Sequence, residues 1–158
     1  MTHFDPRLAG AAPVSRVEAV DAPTLFLVSA LRSFGTGHES IFWDRFADLT
    51  DIRRSDAARS AFESLMGFVT RNARRPLVTH DGACNCIGAD EASFAQFVRL
   101  AAEGEPEDAM LVGMLLLRAD VVPMAVGLAQ QLGLLIGGVP SVGHFSGYTD
   151  PRRQPAYH

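Results

Sequence analysis

Residues 55–73 read SDAARSAFESLMGFVTRNA. Ala58, Phe62, Leu65 and Val69 recur at the spacing of one helical face, while Arg59, Glu63 and Arg71 fall largely elsewhere. Ser55 reads as the N-cap of this helix, and Arg74-Arg75-Pro76 ends it after about Ala73, because the residue before a proline is pushed out of helical geometry. The same period runs through nearly the whole chain. The fold is therefore expected to be all-α.

Toward the N-terminus, Asp21-Ala22-Pro23 opens a helix reaching about Ser33: a capping side chain, then proline in the first turn, where its missing N–H is harmless. Phe34-Gly35-Thr36-Gly37 breaks it. Thr36-Gly37-His38-Glu39 reads as a capping box, and the next helix carries Phe42, Phe46 and Leu49, with Trp43 alongside. Toward the C-terminus, Leu77 to Gly88 is a loop with a short extended piece at Leu77–Thr79. Asp90 is expected to cap a fourth helix with Phe94, Phe97, Val98 and Ala101 inward, stopped by Gly104. Glu105-Pro106-Glu107-Asp108 starts a fifth, with acids where the helix dipole favours them. Asp120 is expected to cap a sixth, ending at Gly137-Gly138.

Short connections between these helices imply one all-α domain, a bundle or orthogonal array of about five to six helices. The division is an extended N-terminal segment (1–20), a helical domain (21–137) and an extended tail (138–158). The length of 158 residues suits a single core. Apolar residues make up 47% and charged residues 20%, which excludes a disordered chain.

Charge and composition narrow the function. All 14 basic side chains are Arg, so neither a Schiff-base lysine nor a phosphate-loop lysine is available. The net charge of −4 disfavours a dominant nucleic-acid surface. Six Arg between Arg53 and Arg75 face only Asp56 and Glu63, and eight acids between Asp81 and Asp120 face only Arg99 and Arg118. These stretches are expected to neutralise one another, with Arg at helix ends complementing the dipole. The first residues lack the apolar run of a signal peptide, so a cytoplasmic location is expected, with reduced thiols. The most apolar stretch, 109–139, holds Arg118, Asp120 and Pro123 near its middle and reads as two buried helices rather than a membrane span. Those helices are apolar on nearly every side, so a homodimer through 107–136, centred on Met114–Leu117 and Leu132–Ile136, is expected.

Chemistry concentrates in HDGACNCIGAD, residues 80–90, which holds both cysteines. His80, Cys84 and Cys86 are the expected metal ligands, since thiolate and imidazole are the donors that zinc favours. A fourth ligand would come from Asp81, Asp90, His38, His144 or a second chain. The expected function is a non-enzymatic regulatory or scaffold module, open to a protein partner, whose zinc pins the third helix to the fourth. The alternative is a thiol-based redox or metal-dependent enzyme, with Cys86 reactive near a helix N-terminus and Cys84 resolving. Inert, buried thiols are the third reading.

Overall fold

A computed structural model describes residues 6–138 of the chain. It is all-α with one small sheet. In chain order the elements are α1 (Pro6–Ala11), β1 (Pro13–Arg16), a 3-10 turn (Val17–Ala19), α2 (Ala22–Ser33), α3 (Glu39–Leu49) and α4 (Ile52–Asn72). After a loop come β2 (Cys86–Gly88), α5 (Ala89–Ala102), α6 (Pro106–Leu116), a second 3-10 turn (Ala119–Val121) and α7 (Val122–Ile136).

Helix α5 is the centre: α2, α6 and α7 pack directly on it, and α1, β1 and β2 meet its first turn. Helix α7 also lies along α4. Those two run antiparallel, because Arg54 in the first turn of α4 bonds the carbonyls of Leu135 and Gly137 while the Asn72 carbonyl accepts from Arg118 N–H. One continuous core joins the helices. Its aromatic end stacks Phe26 on Phe46 (4.5 Å) and Phe42 (5.1 Å), with Trp43 edge-on to Phe42 (5.0 Å) and tilted against Phe62 (5.7 Å). Such tilted and edge-on geometries suit the ring quadrupoles. Its small-residue end brings α7 against α5 at Gly133, where a Cβ would stand 2.5 Å from Ala102 Cβ and 2.8 Å from the Val98 carbonyl.

Helix boundaries follow the expected pattern, but several caps do not. Asp21 caps α2 as expected, accepting from Thr24 N–H at 3.0 Å. Helix α3 starts at Glu39 with no side-chain cap, and the Glu39 carboxylate reaches back to Gly35 N–H (2.7 Å), so Thr36 is not the N-cap. The turn before it needs Gly35 and Gly37 at positive φ (76° and 80°), which L side chains rarely adopt. Helix α4 starts three residues earlier than Ser55: Asp51 is its cap, and Ser55 is buried with its hydroxyl donating to the Trp43 carbonyl (2.8 Å). Asp90 lies inside the first turn of α5 rather than capping it. Asp120 falls in the 3-10 turn, and Val121 precedes α7.

Two further differences matter for the site. The segment before Asp21 is not simply extended: α1 and β1 fold onto the domain, and β1 pairs antiparallel with β2 (Pro13 with Gly88, Ser15 with Ile87, Arg16 with Cys86). The extended piece of the loop is thus Cys86–Gly88, not Leu77–Thr79. The apolar helices are also not buried all round. Ala109, Gly113 and Leu116 of α6 and Ala125, Ala129, Leu132 and Ile136 of α7 turn inward, while Leu111 (63%), Leu115 (64%), Met124 (65%) and Leu134 (63%) stay exposed. Among the described residues, one 18-residue stretch, Ala119–Ile136, has membrane-like hydropathy (mean 1.5), and it is the stretch holding α7 and its core contacts. The expected neutralisation takes partly a backbone form: Arg54 and Arg74 of the basic stretch bond the last carbonyls of α7 and α6.

Candidate functional site

The loop from Ala73 to Asn85 is fastened by the first turn of α5. Asp90, buried, takes two hydrogen bonds from Arg75 (2.6 and 3.0 Å) and one from Val78 N–H (2.8 Å). Glu91, fully buried, accepts from His80 N–H (2.7 Å) and from Arg32 Nε (2.7 Å). Two adjacent acids therefore hold the entry and the middle of the loop, at the helix end where the dipole favours negative charge.

Arg32, from the last turn of α2, completes the frame. Its Nη1 donates to the Cys84 carbonyl (2.8 Å) and its Nη2 to the Cys86 carbonyl (2.6 Å). Its side chain is 5% exposed and that of Glu91 0%. A planar guanidinium with five donors in a fixed fork serves both Glu91 oxygens and two carbonyls at once, four bonds against the three donors of a lysine. Every buried polar side-chain atom among the described residues has a partner, so the charge pair is fully satisfied.

On this frame sits a thiol–imidazole pair. Cys84 Sγ lies 3.5 Å from His80 Nδ1. The other ring nitrogen, Nε2, is 2.7 Å from the Ala11 carbonyl. A carbonyl only accepts, so Nε2 carries the proton and neutral His80 turns the Nδ1 lone pair toward the sulfur. The approach is close: a Cβ on Gly88 would stand 2.9 Å from His80 Nε2. Cys84 N–H donates to the Asp81 carbonyl (2.8 Å), which closes the turn presenting the thiol, and Cys86 N–H points at Cys84 Sγ (3.4 Å).

These contacts favour charge separation. The backbone N–H of Cys86, and then His80, pull the Cys84 thiol below its ordinary value, with the Cys86 thiol adding to the effect. The hydrogen bond to Cys84 raises His80, followed by the Ala11 carbonyl, with Glu91 contributing. Thiolate and imidazolium stabilise each other, as in activated cysteines.

Of the residues expected to meet a metal, His80 and Cys84 come together. Cys86 reaches the pair through its backbone N–H and its neighbouring thiol. Asp81 uses its carboxylate on Ala83 N–H (3.3 Å), Asp90 is taken up by Arg75, and His38 lies at the start of α3. His144 is outside the described residues. Among those described, no three His, Cys, Asp or Glu side chains are placed to hold a metal. Cys86 lies in β2, and both the histidine and the Cys86 backbone N–H address Cys84.

Arg32, Glu91 and the Ala11 carbonyl escaped the sequence reading. A signal existed for the first two. Arg32 is four residues after the buried Val28, and Glu91 three before the buried Phe94, so each charge lies on an inward-facing stripe. Ala11 acts through its backbone, which no side-chain pattern announces. Compared with protein-family models, curated proteins and solved structures, the chain finds no match.

Proposed function

We propose that the protein is a small helical module with thiol-based redox chemistry, in which Cys84 attacks, His80 takes its proton and Cys86 resolves. The observation that supports this reading is the directed contact between Cys84 Sγ and His80 Nδ1, with the far side of the ring anchored on Ala11. The third group that orients the base is here a backbone carbonyl. The mechanical task expected of a zinc ion, fastening the loop between α4 and α5, is carried by Arg32–Glu91 and Arg75–Asp90. That leaves the sulfur available for reaction.

The substrate class is a disulfide. The Cys84 proton passes to His80 Nδ1, and the thiolate attacks one sulfur of R–S–S–R, forming a mixed disulfide. The leaving thiolate takes the proton back. Cys86 then attacks Cys84 Sγ, expelling the second RSH. The sum is two cysteine thiols and one disulfide giving a Cys84–Cys86 disulfide and two RSH. Resting thiols of this kind suit a reducing compartment such as the cytoplasm.

The test is site-resolved alkylation across pH, read by mass spectrometry. Cys84 is expected to react with a midpoint below that of an ordinary thiol, and His80→Ala to raise that midpoint while leaving Cys86 unchanged. Equal midpoints for both cysteines in the native protein would remove the reading.

A second reading keeps zinc. Ligand bonds of about 2.3 Å to sulfur and 2.0 Å to nitrogen at a tetrahedral angle put the two donors about 3.5 Å apart, which is the Cys84–His80 spacing. The Nε2 bond to a carbonyl is also the outer contact that metal-bound histidines make. Cys84 and His80 would form half of a site, with Cys86, His144 or a second chain completing it. Stoichiometric zinc in protein purified without a histidine tag, lost in Cys84→Ser, would favour it. The exposed Leu111, Leu115, Met124 and Leu134 further support pairing of two copies through α6 and α7.

A further inference from the structure

We propose that closing the Cys84–Cys86 disulfide releases the N-terminal strap, Pro6–Arg16, from the domain. This rests on the redox reading above and adds what the oxidation does to the fold.

The strap is held mainly by backbone bonds to the cysteine loop. His80 Nε2 donates to the Ala11 carbonyl (2.7 Å), Ala89 N–H to the Ala12 carbonyl (2.9 Å), and Val17 N–H to the Asn85 carbonyl (2.9 Å). Arg16, Ser15 and Pro13 pair with Cys86, Ile87 and Gly88. From residue 8 to residue 16 the side chains add little, with Leu8 70% and Val14 57% exposed, and Val17 just beyond packs partly buried against the core. Gly10 is buried, because it abuts the Arg75–Asp90 pair too closely for a Cβ. An arm docked in this way undocks when the geometry of residues 84–86 changes.

A disulfide changes that geometry. Asn85 is a bend between the two cysteines, and an S–S bond of about 2.05 Å with its fixed dihedral sets the torsions on both sides of that bend. Ring closure turns the peptide units between Cys84 and Cys86. Asn85, which holds Val17, is inside the ring. The carbonyls of Cys84 and Cys86, spaced to suit one guanidinium, no longer match Arg32 together. The bonds at stake on the loop side are the ones that fasten the strap.

The experiment is amide hydrogen exchange on the full chain, reduced and after treatment with oxidised glutathione, with disulfide state read from intact mass. In the oxidised wild type, exchange over residues 11–18 is expected to rise at least tenfold while α4 to α7 keep their protection. Cys86→Ser, which takes glutathione on Cys84 but cannot close the ring, is expected to keep the strap protected. Cys86→Ala is the alternative if the serine variant folds poorly. A disulfide formed with unchanged exchange over 11–18 would overturn the inference and leave the redox reading standing. Release in glutathionylated Cys86→Ser would overturn it too, since ring closure would then not be the cause. Absence of any reaction at Cys84 would overturn the redox reading itself.

Discussion

The buried Arg32–Glu91 pair and the exposed Arg59–Glu63 pair differ only slightly in length, 2.7 against 2.9 Å, yet their energetic roles differ greatly. Glu91→Gln leaves the Arg32 charge buried without its counterion, and urea unfolding is expected to show a loss of about 3–5 kcal/mol. Glu63→Gln, in water, is expected to cost no more than about 1 kcal/mol. His80 gives a test with a sign. Its folded value is raised above the ordinary 6.5, so its stabilisation is full below about pH 6.5. That stabilisation is lost as pH climbs through the raised value. The stability gap between wild type and His80→Ala, measured by denaturant titration, is therefore expected to be widest in mild acid and to narrow toward alkaline pH. A gap that widened with pH would contradict the raised value. At this scale the sequence is legible in residue type but not in aim. The stretch 80–90 advertises sulfur and imidazole. Which sulfur the imidazole meets depends on the Asp81 turn and on a carbonyl 69 positions earlier in the chain.

Elements were more readable, because amphipathic period is a property of many residues and tolerates local error. The inward faces of α4 and α5 match the apolar stripes. Caps were less readable, since more than one Ser, Thr or Asp stands near the start of α3 and α4 and geometry chooses among them. Ser55 does not cap α4 because it lies inside the helix, its N–H donating to the Asp51 carbonyl (3.0 Å) and its hydroxyl to the Trp43 carbonyl. The β1–β2 pairing was unreadable, because strands of four and three residues carry too little alternation to register. Two glycines of α7 separate packing from propensity. Gly133→Ala pushes a methyl into Ala102 and the Val98 carbonyl and is expected to lower stability by about 1–3 kcal/mol. Gly127→Ala meets nothing within 4 Å and is expected to add roughly 0.4–1 kcal/mol by restricting the unfolded chain. Thermal unfolding should thus move in opposite directions for the two. A shared direction would mean that α7 does not approach α5 as described.

For the whole molecule, the exposed apolar residues on the outer faces of α6 and α7 are where the proposed pairing of two copies is tested. Size-exclusion chromatography is expected to give a dimer that Leu111→Glu with Leu115→Glu converts to a monomer. A dilution-resistant monomer for the wild type would remove the pairing through this face. The sequence reading took these helices as apolar on nearly every side, to be buried with the help of a second copy. An 11-residue α6 can bury one face against α5, and Ala109, Gly113 and Leu116 fill it. The aromatic end of the core has a different consequence. Trp43 is the chain's one tryptophan, 4% exposed and ringed by Phe26, Phe42, Phe46 and Phe62. Its fluorescence is a built-in optical gauge of the α2–α3–α4 junction, blue-shifted while that junction is intact. Circular dichroism, by contrast, averages over all the helices. Superimposable melting curves from the two signals would show that the aromatic and glycine-packed halves come apart in a single cooperative event.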